Sequence, residues 1–288
     1  LKALDIMGRT SDAEIQLLAI PGIRHDSVTD EAINTVENRF DALYIMDIEE
    51  RDALDNVITS SVDQPHVQNT VSAFSARALD TSFAAAYFPD VTMTDPVKNT
   101  LVEVPPSVTV LGAFSLNDKL AHPWYAPAGF TRGALASTED VSVRINQDNA
   151  DRLYEADINP IRTFPGRQGV TVFGQKTLQQ AQSALDRINV RRLLIDVRRQ
   201  VRLIANRFLF EPNRETTLAA FSSTVQPVLQ RIQQQQGIDR YKVIIDTTTT
   251  TQADIENNTI RGKIFLQPTR SIEFVSLDFV VTNAGAEE

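Results

Sequence analysis

The chain has 288 residues, a formal net charge of −9, 42% hydrophobic and 23% charged residues, and no cysteine. That length accommodates one large or two medium domains, and two is the expectation. No run of about 18 apolar residues is available to cross a bilayer as a helix, the acidic balance argues against general nucleic-acid binding because phosphate contacts need a basic face, and the lack of cysteine excludes disulfides, thiol nucleophiles and zinc–thiolate sites.

The chain opens Leu1-Lys2-Ala3-Leu4-Asp5, without an initiating Met, a basic leader or an apolar segment, and reads as a fragment or processed chain. Residues 15–22 form an apolar run stopped by Pro21-Gly22, 29–40 show a helical pattern behind a Thr or Asp cap, and 42–48 are a second buried strand: a βαβ unit. Residues 67–79 place Val67, Val71, Phe74 and Leu79 on one helical face, and 82–93 read as one further strand ended near Pro96. Alternation of this length predicts a largely parallel sheet covered by helices. Pro105-Pro106 then precede a short helix for which Ser107 is a candidate cap.

The loop at 122–133 holds the only tryptophan, Trp124, beside Tyr125, with Pro127 and Gly129 restricting and permitting particular backbone angles. No recognisable acid, base or nucleophile accompanies it, so it is expected to be a fixed structural turn with Trp124 at least half buried. Residues 136–169 look polar and irregular, with Asn159-Pro160 and Pro165-Gly166 marking turns ahead of a strand at 169–174.

Beyond residue 180 the pattern changes. Val190, Leu194, Val197, Val201, Ile204 and Phe208 form one stripe down a helix over 190–210, and a second helix from about 216 to 236 contains Pro227, which should kink it or end its first half. Strand-like segments follow at 241–246, 261–268 and 270–281 around a five-threonine loop, giving an α+β half. In the last strand Ile272 and Phe274 point to one face and Val275, Leu277, Phe279 and Val281 to the other. An internal strand with a bulge and a terminal arm that adds to a neighbour's sheet both fit this switch of phase.

Candidate chemistry is sparse. Residues 169–177 resemble a phosphate-binding loop but miss its spacing, because Gln175 displaces Lys176 and the intervening residues favour a strand. His25, His66 and His122 fall in no metal-binding spacing, no serine sits in a triad context, and the acid pairs Glu49-Glu50 and Glu287-Glu288 read as solvated surface. No catalytic residue, metal or cofactor is expected. The helix at 190–209 is the strongest feature, carrying Arg191, Arg192, Arg198, Arg199, Arg202 and Arg207 against Asp196 alone. Its apolar stripe and the acidic remainder of the chain favour ion pairs within the protein or across a subunit interface.

Six blocks in order, at 102–107, 124–129, 159–178, 187–194, 208–213 and 270–282, resemble the contractile tail sheath proteins of bacteriophages and related injection machines. The resemblance implies a subtilisin-like α/β domain without catalysis over 1–178 and a C-terminal α+β domain over 179–288. It further implies copies of itself stacked as hexameric rings around a tail tube protein above a baseplate, terminal arms that exchange strands, and a virion component assembled in the bacterial cytoplasm. Arg191, Arg198, Arg199, Arg202 and the strand from Ile272 are then candidate subunit contacts. Members usually carry an N-terminal arm and often outer domains, which are expected to lie outside residues 1–288, leaving a monomeric fragment. The alternatives are another ring-forming component of such a machine, or a nucleotide-binding enzyme.

Overall fold

The computed structural model describes residues 1–59, 63–166, 169–246 and 248–273. The expected terminal strand from Phe274 onward, with Val275, Leu277, Phe279 and Val281, therefore lies outside the described residues, as do Glu287 and Glu288.

The chain runs through α1 (Lys2–Gly8), β1 (Leu17–Ala19), α2 (Asp26–Arg39), β2 (Leu43–Asp47), α3 (Val67–Ala76) and β3 (Ala84–Phe88). Next come β4 (Val91–Thr94), β5 (Leu101–Val104), α4 (Pro106–Leu120), α5 (Gly129–Arg132), β6 (Ala134–Leu135), β7 (Thr138–Val141), α6 (Gln147–Glu155), β8 (Ile158–Thr163) and β9 (Val170–Val172). The last part contains α7 (Ile188–Ala205), α8 (Glu215–Gln234), β10 (Ile238–Ile244), α9 (Gln252–Glu256) and β11 (Lys263–Pro268).

A six-stranded sheet has the order β1-β2-β3-β8-β9-β6, parallel from β1 to β8 and antiparallel beyond. Strand residues alternate between faces, and both faces are covered, so β2 and β3 are apolar almost throughout. Tyr44, Met46, Ala84, Ala86 and Phe88 pack with Ile33 and Val36 of α2, Phe74 of α3 and Leu153 of α6. Leu43, Ile45, Ala85 and Tyr87 face Val110 and Phe114 of α4 and Ile188 and Ile195 of α7. A third core joins Leu193, Val197 and Ile204 of α7 to Val225, Leu229 and Ile232 of α8, Ile238 of β10, and Trp124. Helix α7 is thus a shared wall between the large sheet and the β10–β11 hairpin.

Several sequence expectations change. The segment 82–93 is two strands, β3 in the large sheet and β4 in a three-stranded sheet of order β5-β4-β7, separated at the cis Phe88–Pro89 bond. Helix α2 begins at Asp26 and its cap is His25, whose ring nitrogen accepts from Ser27 N. Ser107 lies inside α4 rather than capping it.

The largest correction concerns 136–169, which contains β7, α6 and the fully covered strand β8. Asn159-Pro160 sits inside that strand, opposite Tyr87 and Phe88. Pro160 has no N–H to give, but its carbonyl accepts from Phe173 N at 2.8 Å. The Asn159 amide donates to Ala86 O and Lys176 O and accepts from Lys176 N, replacing ladder bonds with side-chain ones. Tertiary pairing thereby overrides a turn composition. Helix α8 runs unbroken as one element through Pro227.

Candidate assembly surface and cleft

The helix that carries the arginines sorts them by face. The period of 3.6 residues turns Arg191 and Arg192 inward with Leu193 and Ile195, and Arg198, Arg199 and Arg202 outward. Arg191 is 8% exposed; its guanidinium bonds Ser82 O and Ser82 Oγ and lies 3.9 Å from the centroid of the Phe83 ring. Burial pulls its pKa down to about 10. Arg192 makes a two-pronged pair with Asp118 at 2.8 and 2.6 Å, over the ring of Phe114. These two fasten α7 to the α/β layers of their own chain.

The outer arginines pair more loosely. Arg199 meets Glu14 at 2.5 Å, Arg202 approaches Asp41 at 3.8 Å, and Arg198 lies over the half-exposed ring of Phe40. All three are exposed, so these contacts leave most of their guanidinium surface in solvent.

Trp124 is 7% exposed, as the loop reading expects. Its Nε1 donates to Gln235 O at 3.1 Å and its ring stacks on His122 at 4.6 Å. The loop anchors to the end of α8. The turn from α8 into β10 passes so close that a Cβ on Gly237 would stand 2.7 Å from Ile232 and 3.0 Å from the indole. Pro127 is buried, and Gly129, with φ +79°, opens α5 in the left-handed region.

Beyond β11 the chain passes Ile272, 86% exposed, to Glu273. Glu273 pairs with Arg187 at 2.6 Å and accepts from Gln175 at 2.9 Å and from Tyr154 Oη at 2.8 Å. Three groups, from α6, the segment after β9 and the residue before α7, therefore fix the point where the described residues end. Hairpin β10–β11 has no third strand among the described residues, and Lys263, Phe265 and Gln267 on β11 are exposed.

The densest buried charge went unseen in the sequence. Arg24 forms a bidentate contact with Asp90 and lies 3.9 Å from Glu50, while Glu50 accepts from Asp90 N. Glu50 is 3% exposed, not solvated surface, held against Asp90 N and Arg24, whereas its neighbour Glu49 pairs with Arg51. Burial, then the nearby Asp90 charge, lift the Glu50 pKa to about 8. Arg24 and Asp90 are 66 positions apart, so no local spacing announces the pair.

Beside this cluster, Asp47 accepts from Ser107 N, Ser107 Oγ and Gly22 N. That set satisfies the first turn of α4 and the turn after β1. It is a serine–carboxylate pair without a base: His25 and His66 cap helices and His122 stacks on Trp124. Residues 170–172 form β9, and Lys176 donates to Tyr154 O and pairs with Asp157 at 2.9 Å, so the near phosphate loop is a strand with an occupied lysine. Among the described residues no cluster of three or more His, Asp or Glu side chains is placed to hold a metal, and no helix is long and apolar enough to cross a membrane.

The relationships follow this geometry. Residues 180–282 match the family model described as the phage tail sheath C-terminal domain. The chain is 35% identical over 184 residues to a tail sheath protein of Vibrio phage KVP40 and 34% identical over 184 residues to that of Enterobacteria phage T4; each match covers 64% of this chain. It spans about a quarter of their length, 27% and 28%. The fold superposes on the contracted helical sheath of the anti-feeding prophage with a TM-score of 0.74 at 23% identity, covering 96% of this chain and 73% of that one. The contracted sheath of an extracellular contractile injection system gives 0.73 at 24% identity, covering 93% and 71%. The chain is therefore related to the phage tail sheath proteins, by sequence to those of the phages and by fold to the sheaths of injection machines.

Proposed function

We propose that residues 1–288 form the polymerising part of a contractile tail sheath subunit, a structural rather than catalytic protein. Copies stack as hexameric rings around a tail tube protein above a baseplate, and contraction drives the tube through the host envelope. The observation that carries this reading is the match of residues 180–282 to the sheath C-terminal domain, on a fold similar to contracted sheaths along nearly its whole length. In this reading 1–178 is a subtilisin-like α/β domain and 179–288 the sheath C-terminal domain, the protein resides in the virion tail, and it is assembled in the host cytoplasm.

The hairpin β10–β11 supplies the contact. Unpaired strand edges are templates for an added strand, and main-chain hydrogen bonds give such an addition its strength. The segment from Ile272 through Val281, with Phe274, Val275, Leu277 and Phe279, is the arm that a neighbour's sheet receives. The outer arginines Arg198, Arg199 and Arg202 contribute charge pairs between copies, while Arg191 serves packing inside its own chain. Contraction follows from bistability: interfaces that bury more area or pair more charge in the contracted state leave the extended state held by a kinetic barrier.

Replacing Leu277 and Phe279 with Asp in the intact protein tests the arm directly. Polymer measured by sedimentation is expected to disappear while the melting temperature of the subunit stays unchanged. Undiminished polymer would remove the arm from the assembly contact.

A further inference from the structure

The hairpin β10–β11 has two faces of opposite character. Residues directly opposite in an antiparallel pair share a face, and the register sets Arg240 against Gln267, Lys242 against Phe265 and Ile244 against Lys263. Those six make up the outer face, while Tyr241, Val243, Ile264 and Leu266 turn inward onto the core shared by α7 and α8. Arg240, Lys242 and Lys263 are exposed, and Phe265 is 54% exposed. None of the three cations forms a side-chain ion pair or hydrogen bond among the described residues. The acids at the two ends are committed to their own chain: Asp239, the bulge residue, accepts from Thr269 Oγ1 at 2.7 Å, and Asp246 accepts from Thr248 N at 2.8 Å. The outer face therefore gathers three uncompensated cations beside an aromatic ring, in a chain of net charge −9.

The complementary pattern lies in residues 274–288, which hold Asp278, Glu287 and Glu288 and no Lys, Arg or His. Successive side chains of a strand alternate between faces, so Val275, Leu277, Phe279 and Val281 share one face and Asp278 falls on the other. Laid against an edge of the hairpin, such a strand joins its apolar face to Tyr241, Val243, Ile264 and Leu266 only by presenting Asp278 on the side of Arg240, Lys242 and Lys263. A slip of one residue sends Asp278 into the apolar layer without a cation, at a cost in desolvation. A nucleic acid would meet the cations but offers no apolar face, and the acidic remainder of the chain repels it.

We propose that the basic outer face of β10–β11 receives the acidic segment 274–288 of a second copy of this chain, with Asp278 as the residue that fixes which face of the added strand turns inward. The proposal rests on the sheath reading for the source of the segment, a neighbouring subunit, and adds to it the charge pairing that sets the phase of the contact.

A fluorescein-labelled peptide of residues 274–288, titrated with the 288-residue chain and followed by anisotropy, tests it. Saturable binding is expected with a Kd below about 1 mM, weakening as salt rises from about 0.05 to about 0.5 M. The Asp278→Asn peptide should bind about threefold more weakly, as for the loss of one cross-strand charge pair, and the Asp278→Lys peptide at least about tenfold more weakly. A chain with Arg240→Glu and Lys242→Glu should reverse this order and prefer the Asp278→Lys peptide. Absence of saturation, which a segment folded onto its own hairpin would also produce, overturns the proposal. So does equal binding of the Asp and Lys peptides, or a folded charge-reversed chain that keeps the wild-type order. If the charge-reversed chain does not fold, the three peptides on the wild-type chain decide alone. A single-stranded oligonucleotide that binds more tightly than the peptide and displaces it assigns the face to nucleic acid and also overturns it. Polymer formation is scored separately: charge-selective binding without polymers leaves this contact standing and removes the sheath reading, whereas polymers with charge-blind binding do the reverse.

Discussion

Glu50 shows how one buried side chain sets a pH response. The folded chain keeps its proton up to about pH 8, whereas an unfolded chain releases it near the ordinary glutamate value of 4.5. Between those values the folded state binds the extra proton, so this group's contribution to stability falls as pH rises through the window. Asp90 and Asp47, also raised by burial, act in the same direction at lower pH. Glu50→Gln retains an acceptor for Asp90 N and removes the titration. Melting curves at pH 5.5 and 8.5 should show wild type losing at least about 3 °C more than the variant between the two, on a scale where 1 kcal/mol shifts a chain of this size by about 2–4 °C. A parallel loss in both would remove Glu50 from the pH response. At Gly237, substitution by Ala drives a methyl group into Ile232 and Trp124, and the expected destabilisation is about 1–3 kcal/mol by chemical denaturation.

Among the elements, α4 depends on Asp47, which satisfies Ser107 N, Ser107 Oγ and Gly22 N from across the fold. Asp47→Ala leaves these donors buried and unpaired and should cost about 2–4 kcal/mol. Helix α7 sorts its arginines by face: replacing the exposed Arg198, Arg199 and Arg202 together with Gln should change subunit stability by less than about 1 kcal/mol, since exposed pairs contribute little, and, if the proposed interface holds, weaken assembly or shift it toward one state. Unchanged polymerisation across a range of salt would contradict the interface role. This helix was legible because an apolar stripe along 18 residues is a strong periodic signal, and so were β1, β2 and the two strands β10 and β11, though not their pairing as a hairpin. Strand β8 was not, because Asn159-Pro160 carries turn composition and its place is fixed by pairing with β3 and β9, which local pattern does not encode. The Arg24–Glu50–Asp90 cluster and the Asp47–Ser107 bond were hidden for the same reason, each joining residues tens of positions apart. The fate of Trp124 was partly legible: its burial followed from size and from the lack of chemistry around it, whereas its seat against α8 required the fold.

At the scale of the whole molecule, a three-layer α/β body and a small hairpin unit share one helix, α7, whose inner arginines bind it to the sheet side and whose apolar stripe builds the hairpin side. In the proposed reading such a subunit turns as one body, and the edges of β10–β11 that are unpaired among the described residues are where it joins others. That division of labour suits a polymer that changes state by rearranging contacts between subunits. The central claim is assembly, and electron microscopy of the polymers formed by the intact protein tests it most directly. Long hollow tubes with six subunits per ring, of contracted type, are the predicted result; particles that stay monomeric or form closed single rings under conditions where the subunit is folded would contradict it.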